Sequence, residues 1–430
     1  MTLGCKVNQE EAEALKNMFR QRGYQVVPFN QAADVYVVHT CTVTHMGDNK
    51  SRQMIRRATR TNPKAVVAAT GCYAQVSPSE VQAIPGVDLI LGTRERRHLV
   101  DLVEEIAARR SAEVLVESFA EDEPFEDLGS HSTSKSRAFL KIQEGCRKFC
   151  SYCIVPYARG PNRSLPPDRA LSRAAALVKE GFHEIVLTGI HIGTYGEDLP
   201  QGTRLAGLIK SLLKMDDTFR LRLGSLDPNE VDEELLEVLT AEERVCPHFH
   251  LALQSGDNQI LARMGRRYTA EQYIELVDRL RARRPGIALT TDVIVGFPGE
   301  GERQFRHTEE LIRRAAMSAL HVFKYSPRKG TPAAAFTDQV PDQVKETRSR
   351  RLIDLGRELG EAYAKSFVGR QLTVLIESKA AQGQRYKGHA ENYLVVTLEG
   401  TPELVGSLVP VKVVRHRAGL IVDGEQLELL

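Results

Sequence analysis

Six of the seven cysteines fall into two sets of three. Cys146, Cys150 and Cys153 lie in "EGCRKFCSYCIVPYARG", Glu144 to Gly160, with the pattern C-x3-C-x2-C. Three thiolates are one short of a closed tetrahedral metal site or of a fully cysteine-held iron–sulfur cluster. Such a site keeps one coordination corner open, and an open corner is where a catalytic metal takes up a reagent. By spacing alone two readings are equal: a structural zinc with a distant fourth ligand, or a 4Fe–4S cluster with one free iron. A small molecule with both an amine and a carboxylate would chelate that iron. S-adenosylmethionine has both groups, and an electron from the cluster would cleave its sulfonium to a carbon radical, chemistry that no side chain supplies.

Cys5, Cys41 and Cys72 stand in "TLGC", "VVHTC" and "AATGC". Each follows a predicted strand, and each is about one crossover unit from the next. The carboxyl ends of parallel strands share one edge, where ligands bind. A lone free cysteine is usually a small buried hydrophobe, but three at matching positions of one sheet predict a second three-thiol site. Cys246, in "RVCPHFH", has no partner pattern and is assigned to the core or a loop.

The elements that must position these residues alternate between strand and helix, so the fold class is α/β. Met1–Gly4 reads as the end of a nearly absent first strand, which would loosen Cys5. Residues 10–22 form an amphipathic helix with Ala14, Leu15, Met18 and Phe19 on one side. "YQVVPF", "DVYVVHT", "AVVAATG" and "VDLILG" are β-rich runs, and helices are expected over 47–61 and 96–109. Residues 1–115 are therefore read as a doubly wound parallel sheet. Residues 116–136, acidic and then Ser-rich, are read as a linker or surface crossover. Over 137–366 the rhythm resumes with strands at 138–142, 184–188, 220–224, 248–253, 288–295 and 319–324, and a charged helix follows at 342–366. Six strands fit an open βα barrel, with the central cysteine loop at its catalytic face. Residues 367–430 hold short strands with turn signals, which predict a small antiparallel β-barrel.

The 58 Lys plus Arg nearly balance the 56 Asp plus Glu, so net charge argues for no partner class. No apolar run has membrane-spanning length and no signal-peptide pattern opens the chain, so a cytoplasmic location is expected, with no membrane partner. Local basic patches do stand out. Lys50, Arg52, Arg56, Arg57 and Arg60 share the 47–61 helix. Lys365, Arg370, Lys379, Arg385, Lys387, Lys412, Arg415 and Arg417 interleave with Tyr386, His389 and Tyr393, a pattern suited to phosphates and unpaired bases. A solvated β surface is the plain alternative.

Several motifs share a likeness. "TLGCKVNQEEAE", "HTCTVT", "GCYAQ", the central cysteine loop, "LALQSGDNQILARMGRRYT", "TDVIVGFPGE" and "FKYSPRKGTPAA" resemble the methylthiotransferases, radical-SAM enzymes with two 4Fe–4S clusters. "TLGCKVN" and "CTVT" most resemble the branch that acts on N6-threonylcarbamoyladenosine at tRNA position 37. The resemblance implies that Cys146, Cys150 and Cys153 hold the cluster that reduces S-adenosylmethionine, giving a radical that abstracts hydrogen from C2 of adenine. It implies that Cys5, Cys41 and Cys72 hold the cluster that carries the sulfur, and that a second S-adenosylmethionine supplies the methyl group. Tyr152, Gly189, Ser225, Gln254, Arg263, Ile294 and Gly296 are the candidate S-adenosylmethionine contacts, with Arg266 as a further cation. No protein acid–base pair is assigned. The implied partners are tRNA, an electron donor such as flavodoxin or ferredoxin, and a sulfur source, with no DNA. The C-terminal barrel is similar to a TRAM RNA-binding module. The alternatives are a methylthiotransferase with another target, isopentenyl-adenosine of tRNA or a ribosomal-protein aspartate, or a noncatalytic RNA-binding metalloprotein.

Overall fold

The computed structural model describes residues 1–109, 111–129, 136–200, 202–380 and 384–427. The first sheet has the parallel strands Val35–Thr40, Val66–Gly71, Leu89–Leu91 and Glu113–Leu115, in that order. "VVAATG" is buried along its whole length because it is covered on both sides. Val66 and Ala68 pack with Leu15, Phe19, Leu99 and Val103, while Val67 and Ala69 pack with Ile55, Ala58 and Tyr73. The helices behind these contacts are Lys6–Gln21, His45–Thr61 and Leu99–Arg109. The short N-terminus is held firmly: Thr2 bridges His39, Leu3 N–H donates to His39 O at 3.0 Å, and His39 N–H donates to Met1 O at 2.9 Å. The stub thus fixes the approach to Cys5.

One expectation needs correction. "YQVVPF" forms no strand. Pro28 lacks an N–H for a ladder, and the segment instead lays Tyr24 against Phe19 and Phe29 against Tyr36, ring centroids 5.2 and 5.6 Å apart. The acidic stretch, read as a linker or surface crossover, is tied to the surface by ion pairs. Glu123 pairs with Arg94, Glu126 with Arg96 at 2.7 Å, and Asp127 with Arg169 and Arg173. The expected Ser-rich part, residues 130–135, lies outside the described residues.

Six parallel strands form the open barrel: Ala138–Glu144, Glu184–Gly189, Arg220–Leu223 continued by Ser225–Leu226, His248–Leu251, Ala288–Val295 and Ala319–Lys324. The sheet breaks at Gly224 into two halves, and Arg163–Ser164 adds an antiparallel edge. Alternation sorts the residues. Leu140, Ile142, Ile185, Leu187, Leu221, Phe249, Leu251, Leu289 and Val293 join the apolar layer beneath the outer helices. The opposite phase is polar: Lys141, Gln143, Glu184, Thr188, Arg220, Arg222, His248, His250, Thr290 and Asp292.

Gln371–Lys379, Arg385–Ala390, Val395–Glu399, Leu408–Ala418 and Ile421–Gln426 close the C-terminal barrel around Val374, Ile376, Val396, Leu398 and Val411. It docks against the amino ends of the large barrel's strands. Arg220 donates to the carbonyls of Thr373 and His389, and Arg222 to those of Ala390 and Glu391, at 2.8 to 3.2 Å. Glu184 pairs with both guanidiniums. Tyr393 enters the interface, stacked on His248 at 4.5 Å with Arg222 4.9 Å from its ring centre.

The expected stacking platform for bases is therefore not free. Tyr386 is in the small barrel's core, His389 pairs with Glu377, and Tyr393 serves the docking. Arg385, Arg415 and Arg417 all converge on Asp423. Lys365, Arg370, Lys379, Lys387 and Lys412 remain exposed, as do Lys50, Arg56, Arg57 and Arg60 on helix His45–Thr61. Replacing Tyr393 with Ala removes the stack and the cation–π contact, together about 2 kcal/mol. Limited proteolysis between Lys365 and Gln371 should then accelerate several-fold; unchanged cleavage would show that the arginine–carbonyl bonds suffice.

Candidate active site

Each N-terminal cysteine stands where a strand gives way to a helix. Cys5 precedes helix Lys6–Gln21, Cys72 opens the short helix Cys72–Val76, and Cys41 lies three residues before Thr44, whose side chain accepts from Gly47 N–H at 3.2 Å to cap the next helix. The three come together. A Cβ on Gly4 would lie 3.0 Å from Cys41 Sγ. Burial, more than any other cause, pushes Cys72 up to about 11, with Cys5 and Cys41 adding to the rise and the Arg159 guanidinium opposing it. Burial also raises Cys41.

The central loop is shaped by backbone. Gly145 has φ +76°, and a Cβ there would sit 1.7 Å from Pro161 O, so the turn into Cys146 admits only glycine. Cys146 N–H donates to Gly160 O at 2.9 Å, Ser151 N–H to Met264 O at 2.9 Å, and Cys153 N–H to Cys150 O at 2.9 Å. Burial pushes Cys153 up to about 12, reinforced by Cys150 and Cys146. Near these thiols, His191 Nδ1 lies 3.8 Å from Cys146 Sγ and Arg266 Nη1 3.7 Å from Cys150 Sγ. His191 also pairs with Glu230; although burial disfavours its charge, Cys146 and Glu230 raise it to about 9.

One buried ion network joins the two trios. The Arg159 side chain is fully enclosed. Its Nε donates to Cys72 Sγ at 3.2 Å, Nη1 to Glu11 at 2.6 Å and Glu144 at 2.7 Å, and Nη2 to Asn8 at 2.6 Å. Lys141 Nζ bridges the same two carboxylates at 2.9 and 2.8 Å, and Arg96 reaches Glu11 at 2.8 Å. Glu11 comes from the helix behind Cys5, and Glu144 stands two residues before Cys146. A second bridge runs from Arg328, whose Nη2 donates to Thr42 Oγ1 and Asp48 Oδ2 at 2.6 Å beside Cys41.

Residues 1–92 match the model of the uncharacterized protein family UPF0004, and residues 140–312 that of the Radical SAM superfamily. The chain is 42% identical to the threonylcarbamoyladenosine tRNA methylthiotransferase MtaB of Bacillus subtilis (strain 168), covering 96% of this chain and 93% of that protein. The MtaB of Aquifex aeolicus (strain VF5) is 41% identical over 95% and 98%. The chain belongs to the methylthiotransferase family of radical-SAM enzymes. A tRNA-2-methylthio-N(6)-dimethylallyladenosine synthase of Moorella thermoacetica is more distant, at 35% over 100% and 98%. Among solved structures, the radical S-adenosylmethionine methyltransferase TsrM from Kitasatospora setae, with cobalamin and a [4Fe-4S] cluster bound, has a TM-score of 0.57 at 17% identity, covering 75% of this chain and 73% of that one. That likeness is one of fold.

In this methylthiotransferase the candidate cofactor contacts separate. Tyr152 and Ile294 share an apolar cluster with Phe297 and Tyr325. Gly189 allows close approach, since a Cβ would lie 2.5 Å from Gln143 O. Ser225 is exposed opposite His250 in the ladder. Gln254, at φ +65°, bridges Asp292 and Ile294 through its backbone. Gly296, at φ +70°, gives its N–H to Glu300 at 2.8 Å. Arg263 is engaged within the protein: both its terminal nitrogens donate to Asp338, at 2.7 and 2.8 Å. Gly265, at φ +75°, turns the chain so that Arg266 reaches Cys150 and Asp227 instead. Of the two places expected for Cys246, core or loop, the structure gives a buried one.

The sequence reading missed Glu11, Lys141, Glu144 and Arg159. The signal was present as charges inside apolar runs, in "FLKIQE" and "IVPYARG". Burial disfavours the Glu144 charge, but Lys141, Arg96 and Arg159 outweigh it and hold the carboxyl at about 2. A depressed folded value stabilises above the ordinary value of 4.5 and ceases to do so as pH falls toward 2. Arg159→Met leaves Glu11 and Glu144 short of a cation and should cost about 3–5 kcal/mol. In acid-denaturation series, Glu144→Gln should flatten the stability change between pH 4.5 and 2; an unaltered slope would place the acid sensitivity elsewhere.

Proposed function

We propose that this protein converts N6-threonylcarbamoyladenosine at position 37 of tRNA to its 2-methylthio derivative. The observation that carries the reading is the pair of cysteine trios held on one buried ion network. Their donor sets fit iron–sulfur clusters: each offers three thiols, with Asn8 and Arg159 filling the surroundings of Cys72 instead of a fourth ligand. Bound there, two 4Fe–4S clusters and S-adenosylmethionine supply reductive cleavage of a sulfonium, a sulfur atom and a methyl group.

In this reading Cys146, Cys150 and Cys153 hold the cluster that meets S-adenosylmethionine, and Cys5, Cys41 and Cys72 hold the other. Arg159 donates a charge-assisted hydrogen bond to Cys72 sulfur and so offsets the negative charge of a thiolate-held cluster. Arg266, tied to Asp227 at 2.8 Å, does the same beside Cys150. Tyr152, Ile294 and Phe297 present an apolar surface suited to an adenine ring. The exposed lysines and arginines of helix His45–Thr61 and the small barrel hold tRNA phosphates. A flavodoxin or ferredoxin supplies electrons, a separate sulfur source restores the transferred atom, and the setting is the cytoplasm. Among the described residues no helix is long and apolar enough to cross a membrane.

The two trios are separable by mutation. After anaerobic reconstitution, Cys41→Ala with Cys72→Ala should keep about four irons of about eight. It should still cleave S-adenosylmethionine under reduction and form no 2-methylthio product. Cys150→Ala should abolish the cleavage itself. Mass spectrometry of tRNA nucleosides reads the product, and a wild-type protein that leaves threonylcarbamoyladenosine unchanged while modifying isopentenyl-adenosine would overturn the substrate assignment.

A further inference from the structure

We infer that Lys6 selects a carboxylate-bearing N6 substituent on the target adenosine, with His250, Asp292 and His321 holding the rest of that substituent. The inference rests on the substrate reading above. Lys6 directly follows Cys5 and its side chain is exposed. Among the described residues no carboxylate forms an ion pair with it, whereas the inward cations of the large barrel are matched: Lys141 by Glu11 and Glu144, Arg220 and Arg222 by Glu184. Its ammonium lies 5.8 Å from the centre of the Tyr393 ring, the ring that stacks on His248. Lys6 therefore faces the polar side of the barrel strands: burial is the largest cause of the lowered proton affinity of His248 and His321, the charges of Arg222 on the first and His250 on the second come next, and Lys6 is close enough to add to both.

From His248 a polar track runs along that side. Thr290 Oγ1 lies 3.5 Å from His248 Nε2 and 3.0 Å from His250 Nδ1, and His250 Nε2 meets Asp292 Oδ1 at 3.2 Å. The polar atoms of His250, Asp292 and His321 lie within 4.8 Å of one another, and His321 is exposed to solvent. The threonylcarbamoyl group carries a carboxylate, a hydroxyl and ureido N–H groups. An ammonium and imidazole N–H groups donate to the first, and a carboxylate accepts from the others. A dimethylallyl group offers none of these and would leave the ammonium desolvated without a partner. The two histidines and the aspartate have the ligand types of a divalent-cation site, but the ammonium beside them favours an anionic guest.

The test uses the full-length, anaerobically reconstituted protein and anticodon stem-loops in which the threonyl group is a free acid or its uncharged carboxamide. Wild type should bind the acid at least about tenfold more tightly, the worth of one charge-assisted hydrogen bond. Lys6→Met should lose that preference while binding the carboxamide as wild type does, with iron content unchanged. His321→Ala, distant in sequence from any cluster cysteine, should narrow the preference independently. Equal wild-type binding of acid and carboxamide, or an equal loss of both in Lys6→Met, overturns the inference. A wild-type protein that binds with this preference yet yields no 2-methylthio product on the acid loop would instead overturn the substrate reading, so the two failures are distinguishable.

Discussion

A guanidinium without access to water must be satisfied entirely by its neighbours, and Arg159 meets that demand with groups drawn from both halves of the enzyme. Glu11 and Asn8 belong to the first helix, Glu144 to the first barrel strand and Cys72 to the end of a strand in the N-terminal sheet. The arrangement leaves little room for relative sliding. A shift of an ångström between the sheet and the barrel would break charge-assisted bonds of 2.6 to 2.7 Å in a place where nothing can replace them. Arg328 repeats the device on the Cys41 side. The spacing of the two cysteine trios is thus fixed by electrostatics in a dry interface, with the apolar cores lying to either side.

The same logic governs the lower end of the barrel. Arg220 and Arg222 share Glu184 and spend their remaining N–H groups on carbonyls of the small barrel. Backbone carbonyls carry no sequence information, so this part of the docking asks only that the strands and the turn after Ala390 keep their shape. Tyr393, at φ +70°, is held in the backbone region that shape requires. The small barrel is consequently a floor for the large one as well as a basic surface of its own.

Much of the fold was legible because period-two and helical patterns survive in the sequence: Ala288–Val295 and Ala319–Lys324 match their expected bounds. "YQVVPF" misled because β propensity is strong there and the missing partner strand is a tertiary fact. The cysteine sets were legible by type and spacing. Arg159, Glu11 and Glu144 were not, since a charge is called exposed by default and only the fold shows three such residues meeting. Arg263 and Arg266 were indistinguishable in "ARMGRR"; the positive φ of Gly265 sends one to Asp338 and the other to Cys150. The RNA-stacking reading of Tyr386 and Tyr393 failed because a small barrel must bury one aromatic and its docking uses the other.

The division of labour between the two phases of each barrel strand has a further consequence. Since the cohesion of that unit comes from the layer beneath the helices and from the buried ion pairs of Lys141, Glu184, Arg220 and Arg222, the remaining residues of the opposite phase, such as His250, Thr290 and Asp292, are released from the duty of filling space. They are free to diverge at small thermodynamic penalty. A scaffold of this kind can accept a new guest by exchanging a handful of lining residues, with its architecture left as it stands.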